Sequence, residues 1–286
     1  WHQLSKRWKN IIADSAGRLS SVIRDAILST DEQLHRNGCD AVITLREYDM
    51  IPALITAAED KSNPLAERSA TTLLLLADAL CEELAAPRDY QNRRDPHLVR
   101  AHVTGALEQS IDRFDHHKSR EIVEAFLMLA GHENPLLNHI LQHPHDKAYV
   151  TLVHLLSHSP RSGVVRLILK SLESPRPSSA ICSILAHRDD IAFVRRMLTH
   201  FVEEVPKSTK HNLKRIESFS WLRDDLSLLA ELNCEEQRGA IQLTMASGLN
   251  RIRAFEVVDF ILAQGEAEAR RAAAKALTEF RGTEAN

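Results

Sequence analysis

From Glu266 to Phe280 the chain reads Glu-Ala-Glu-Ala-Arg-Arg-Ala-Ala-Ala-Lys-Ala-Leu-Thr-Glu-Phe. Ala269, Ala272 and Ala276 recur at gaps of three and four, the period of one helix face, and Leu277 follows directly. Small alanines there let a second helix approach closely, and Leu277 fills the seam. Three other stretches open alike. Asn63-Pro64 precedes Arg68 and Ala70, Asp95-Pro96 precedes Val99, Arg100 and Ala101, and Asp190 precedes Val194, Arg195 and Arg196. Asp or Asn suits the N-cap, where its side chain accepts from free first-turn amides. Proline suits the next position, which needs no donor. The arginine five residues on is placed to reach the cap carboxylate of a neighbouring unit. The openings at 63 and 95 stand 32 residues apart; the next gap, 95, is close to three such units, and the last, 75, fits two longer ones. Periods of this size mark stacked helical repeats.

Working outward, residues 4–28 carry an apolar stripe through Trp8, Ile11, Ile12, Leu19, Val22, Ile23 and Ile27. Thr30 or Asp31 is placed to cap a following helix, and Asn37-Gly38 reads as a turn or helix stop. From about residue 40 onward, helical segments alternate with turns of two to five residues, which forces consecutive helices antiparallel. Helices are expected at 208–218 and 220–232 among others, although 204–250 matches the repeat pattern least. The polar stretches 85–94 and 204–212 interrupt the pattern. Alternation by two is not sustained, so no sheet is expected. The division is an N-terminal helical segment, 1–47, followed by a repeat stack, 48–286.

The pattern Asp-x-x-Val-Arg-x-x-Ala-x-x-Ala-Leu is that of HEAT repeats, and Glu266 to Phe280 resembles it closely. Met50-Ile51-Pro52-Ala53-Leu54-Ile55, leading into Asn63-Pro64 and Ala70 to Leu80, is similar to an armadillo repeat, with Asp49 near the place of the usual glycine. The resemblance covers most of 48–282. It implies an all-α, right-handed α-solenoid of antiparallel helix pairs, whose concave face of second helices binds a protein partner without catalysis.

Composition narrows the alternatives. The net charge is −3 with both signs interspersed, where a dedicated nucleic-acid binder carries a basic excess. Cys39, Cys81, Cys182 and Cys234 form no CxxC and read as reduced residues of a cytoplasmic protein. No apolar run approaches a membrane span. Nothing reads as a signal peptide. Beginning at Trp1, the chain reads as part of a longer one. No cofactor motif is present: P-loop, dinucleotide, nucleophile-elbow, HExxH and EF-hand signatures are all missing.

Three constellations remain. Six histidines crowd residues 132–158, with His139/His143 and His154/His158 at i, i+4. If 134–143 and 146–158 pair antiparallel, His132, Glu133, His154 and His158 converge as candidate metal ligands; surface and capping roles compete with that reading. Deoxyhypusine hydroxylases resemble this fold and carry several His-Glu pairs, one per repeat; here His132-Glu133 stands alone, which argues against that activity. HEAT-like alkylpurine DNA glycosylases use aromatics with a carboxylate and basic groups, residue types that Trp221, Arg223, Asp224 and Asp225 supply; a core tryptophan beside solvated carboxylates is the alternative. Finally, Arg68, Arg100, Arg166, Arg195, Arg196, Arg238, Arg270 and Arg271 fall on successive second helices. They form either a basic binding strip or, the reading preferred for Arg68, Arg100, Arg195 and Arg270, an internal Asp–Arg ladder.

Overall fold

The computed structural model describes residues 16–86, 95–202, 205–222 and 225–280. Among them are seventeen α-helices, three short 3-10 turns and no strand. The chain is all-α. It divides into two compact units, one of Trp1–Gly131, His143–Leu155 and Arg161–Val164, the other of His132–Gln142, Leu156–Pro160 and Val165–Asn286.

In the first unit, α1 (Ala16–Ile27) and α2 (Glu32–Leu45) form a pair. They are followed by α3 (Ile51–Glu59), α4 (Ala66–Ala85), α5 (Pro96–Ile111), the single turn α6 (Phe114–His117) and α7 (Arg120–Leu129). Two layers result. α1 packs on α3 and α3 on α5, while α2 packs on α4 and α4 on α7; α1·α2, α3·α4 and α5·α7 contacts join the layers. The apolar positions close the seam: Leu54, Leu73, Leu76, Leu80, Leu107 and Phe126 are fully buried. Each such side chain contributes roughly 1.5–3 kcal/mol by leaving water.

Local sequence sets the helix ends. Asp31 caps α2 through the Leu34 amide and Asp95 caps α5 through the His97 amide, as their residue types predict. Asn63-Pro64 behaves differently. Asn63 accepts from the Leu65 amide in a turn, and α4 starts only at Ala66 with no side-chain cap. Asn37-Gly38 is a correction. It lies inside α2, because Gly38 is where α1 crosses: a Cβ there would stand 3.0 Å from the Ala26 Cβ and 3.1 Å from the Ile27 nitrogen. The glycine serves close approach, so the helix continues through it.

The second unit includes α8 (Pro135–Gln142), the end of α9 (Tyr149–His158) and most of α10 (Ser162–Ser171). Then come α11 (Ser179–His187), α12 (Ile191–His200), α13 (Lys207–Leu213), α14 (Leu228–Glu231), α15 (Cys234–Ala246), α16 (Arg251–Gln264) and α17 (Ala267–Leu277). α15 packs against α12, α13, α16 and α17. At Gly239 the Leu198 carbonyl oxygen of α12 would stand 1.9 Å from a Cβ. α15 opens with a full capping box, Asn233 and Glu236. α17 turns Glu268, Arg270, Arg271 and Lys275 outward over buried Ala269, Ala273 and Ala276.

The predicted helices at 208–218 and 220–232 are not found as such. α13 ends at Leu213, a 3-10 turn covers Ser220–Leu222, and α14 is one turn long. Ile216, Phe219 and Leu222 mimic helical spacing, yet irregular backbone buries all three. Its polar groups find partners elsewhere: the Ile216 carbonyl accepts from the Gly248 amide, and the Leu222 carbonyl from Arg253. Of the two expected interruptions, 85–94 and 204–212, residues 87–94 and 204 lie outside the described residues, as does the tail from 281.

Candidate functional site

Every α-helix leaves its last carbonyls without an intrahelical donor. Arginine donates to such carbonyls, and to others in the turns between helices, repeatedly here. Arg100 Nε donates to the Leu129 carbonyl at 2.7 Å, where α7 ends, 29 residues away. Arg196 donates to the Pro160 carbonyl at 2.9 Å and Arg195 to the Glu231 carbonyl at 3.4 Å, each 36 residues away. Arg215 reaches Pro177 across 38 residues, Arg251 reaches Phe280 across 29, and Arg253 reaches Leu222 across 31. The bridge is therefore Arg–carbonyl. The predicted Asp–Arg ladder does not hold for Arg100 and Arg195, for a simple reason. The N-cap carboxylates already accept from their own first-turn amides, as Asp190 does from Phe193 at 2.9 Å. The C-terminal carbonyls are the groups still wanting a donor, and the helix dipole favours a cation there.

The remaining strip arginines divide. Arg68, Arg166 and Arg238 are half-buried, and Arg68 lies close enough to His35 and Cys39 to act on both electrostatically. Arg270 and Arg271 are exposed, with no side-chain partner among the described residues.

Arg188, which sequence reasoning did not single out, is the most deeply set of these cations. Its side chain is 2% exposed. Nη1 donates to the Leu156 carbonyl at 3.0 Å, Nη2 to the Ser159 carbonyl at 2.7 Å and Nε to Asp190 Oδ2 at 2.6 Å. The guanidinium lies 4.3 Å from the centre of the Phe193 ring. Its only sequence signal is an arginine two residues before an N-cap aspartate. Arg188 underlies a pocket of about 500 Å3 that Ser157, His158, Pro160, Ile184, His187, Asp189 and Asp190 also line.

The histidine reading changes on inspection. Among the described residues, no group of three or more His, Cys, Asp or Glu side chains is arranged to hold a metal ion. His132 Nε2 lies 3.8 Å from Glu133 Oε1, but the set His132, Glu133, His154 and His158 does not form a metal centre. His158 lines the pocket just described.

Two buried histidines outside that cluster are integral to the first unit. His35 Nδ1 lies 2.7 Å from the Ile27 carbonyl, which can only accept, so Nδ1 carries the proton. Nε2 is then the acceptor for Ser69 Oγ at 3.2 Å and Cys39 Sγ at 3.5 Å. Burial holds the imidazole below its ordinary pKa and pushes the Cys39 thiol up, so both stay neutral.

His117 brings Ser110 and Glu59 into one cluster that resembles a nucleophilic triad in composition. Its hydrogen bonds exclude that use. His117 Nδ1 accepts from the Ser119 amide at 2.9 Å, so Nε2 is the donor, to the Ser110 carbonyl at 3.1 Å. Ser110 Oγ gives its proton to Glu59 Oε1 at 2.5 Å, and Arg113 holds the same carboxylate. The imidazole has no lone pair facing the hydroxyl, which a general base requires.

On the second-helix layer of the same unit, Arg161 pairs with Asp78 and, at 3.4 Å, with Glu124. Burial pushes the Asp78 carboxyl up against the pull of Arg161. Arg46, in the left-handed backbone region at φ 52°, reaches Glu83 at 2.7 Å, and Tyr48 donates to the same oxygen at 2.8 Å.

Trp221 is no stacking surface. It is buried against Phe219, ring centres 5.9 Å apart, and its Nε1 has no hydrogen-bond partner among the described residues. Asp225 accepts from the Ser227 amide and hydroxyl, while Arg223 and Asp224 lie outside the described residues.

No family model matches the chain, and no solved structure matches it. A stretch of 83 residues, 29% of the chain, is 31% identical to part of the amidophosphoribosyltransferase of Synechocystis sp.. It spans 17% of that enzyme's length. No helix among the described residues is long and apolar enough to cross a membrane.

Proposed function

We propose that the chain is a HEAT/armadillo-like helical-repeat scaffold, a right-handed solenoid that binds a protein partner along the concave face of its second helices and catalyses nothing. The observation that carries this reading is the Arg–carbonyl bridge recurring at 29 to 38 residues, one repeat length. Such bridges would tie a helix end or a turn to the neighbouring repeat, and the layered packing within the first unit fits the same plan. A stack of this kind presents a long surface with repeated polar positions, suited to extended partners. The Ser110–His117–Glu59 cluster supports the non-catalytic part, since its protons are committed to structural bonds. Exposed Arg270 and Arg271 remain as binding candidates from the predicted strip.

A photo-crosslinking amino acid tests the reading. Placed at exposed second-helix positions, Leu75 or Arg270, it is expected to trap a discrete partner from native lysate. Placed at first-helix positions, Thr56 or His102, it is expected to trap none; α5 packs in the layer of α1 and α3, which takes Arg100 off the predicted second-helix strip. Equal trapping from both faces, or none from either, overturns the proposal.

A further inference from the structure

The pocket over Arg188 has a definite electrostatic character. Its one permanent cation is buried and already balanced: Arg188, 2% exposed, donates to two carbonyls and to Asp190 and stacks on Phe193, so little of its charge reaches the pocket. Asp190 is likewise occupied, by Arg188 through Oδ2 and by the Phe193 amide through Oδ1. Asp189 is not. It is exposed, lines the pocket and makes no hydrogen bond or ion pair with any described residue.

His187 adds a second acceptor. Its Nδ1 lies 2.8 Å from the Ser183 carbonyl and therefore donates, which leaves a lone pair on Nε2 in the neutral ring. The residue closes α11, so the negative end of that helix's dipole adds to the same field. Pro160 and Ile184 supply apolar wall beside these acceptors.

The geometry points to a binding site for a basic side chain, an arginine or lysine presented by a partner polypeptide. The carboxylate of Asp189 matches a guanidinium fork or an ammonium. His187 Nε2 accepts a further N–H. Pro160 and Ile184 cover the methylene stem, as apolar surface does for long cationic side chains. This assignment rests on the scaffold reading for its source of ligand and adds the chemistry of the partner: basic at this position.

The test uses the full chain with a blocked peptide, acetyl-Gly-Arg-Gly-amide, and follows the Ile184 methyl resonance by carbon–proton correlation NMR. Saturable shifts at millimolar peptide are expected, with Asp189→Asn weakening binding about fivefold, the worth of one partly exposed ion pair. The neutral isostere with citrulline in place of arginine is expected to leave the methyl unmoved, and Glu268→Gln, which neutralises an exposed carboxylate elsewhere on the unit, to leave binding unchanged. No shift with the arginine peptide, equal shifts with citrulline, or unaltered affinity in Asp189→Asn overturns the assignment. Spermidine binding as tightly as the peptide overturns the polypeptide source, since a free polyamine then satisfies the site. Failure here leaves the crosslinking result intact, so the two proposals fall separately.

Discussion

The two units solve the same problem with different chemistry. Both must supply donors to helix-terminal and turn carbonyls. In the first unit the side-chain donors are mostly neutral and buried, His35 to Ile27, Cys81 to Met128 at 3.1 Å and His117 to Ser110, beside the cations Arg100 to Leu129 and Lys147 to Asp112. In the second they are predominantly guanidinium groups, from Arg188, Arg195, Arg196, Arg215, Arg251 and Arg253, joined by Asn212 to Leu172 and Ser174. Helix length explains the contrast. The number of orphan carbonyls per helix is constant, so the 20-residue α4 carries few for its length while the 7-residue α13 and 4-residue α14 carry many. Short helices with irregular connections need long-reaching donors. Arginine provides five N–H groups on a flexible stem. The difference teaches that a regular layered pack can bury its own polar ends, whereas an irregular one recruits cations from 29 to 38 residues away.

The largest expected effect attacks packing in the second unit. Gly239→Val drives a side chain into the Leu198 carbonyl, where even a Cβ has no room. A loss of at least about 3 kcal/mol is expected in urea denaturation; a near-neutral result would mean that α12 and α15 do not meet as described. Next, Arg188→Met removes three hydrogen bonds from a buried group and leaves two carbonyls and Asp190 without their donor. That change is expected to destabilise by about 3 kcal/mol, against about 1 kcal/mol for Arg100→Met, which loses one bond from a half-buried site. Equal losses would remove the graded role given to the guanidinium groups.

The third prediction separates the units by pH. The unfolded chain protonates His35 near the ordinary imidazole value of about 6.5. The folded ring, held lower by burial, does not. Stability present above that value is therefore lost as the pH falls towards the folded value. Amide exchange in α1 and α2 is expected to accelerate between pH 7.5 and 5.5 relative to α16, which contains no histidine. His35→Gln, which cannot titrate, is expected to abolish this acceleration. Persistence of the effect in that variant would assign it to another group. The smallest effect belongs to Arg270→Glu on the outer face of α17, expected within about 0.5 kcal/mol of the parent in the same denaturation assay.

How much of this was legible beforehand varies residue by residue. Asp31, Asp95 and Asp190 announced their helices because N-capping is local chemistry, settled within three residues. Gly38 misled because a glycine permits both a helix stop and a close helix crossing, and only the crossing partner, α1, decides between them. Ile216, Phe219 and Leu222 misled because burial by irregular backbone and burial by a helix can use the same spacing. Arg100 and Arg195 were read at the right positions but with the wrong partner type, while Arg188, Arg215, Arg251 and Arg253 were not singled out. Carbonyl oxygens have no letter in a sequence, so an Arg–carbonyl bridge across 29 to 38 residues is invisible there. The histidine cluster failed as a metal set for a related reason: proximity in sequence does not bring ligands to one point.

What the sequence by itself determined is the helical class and the caps, because both depend on contacts within about one helical turn. The tertiary structure alone decided which polar groups are engaged and which remain open. Arg188 and Asp189 are neighbours in the chain, one buried with its guanidinium donating to two carbonyls and Asp190, the other exposed on a pocket wall. Their difference arises from where α9 ends, and no local pattern carries that information.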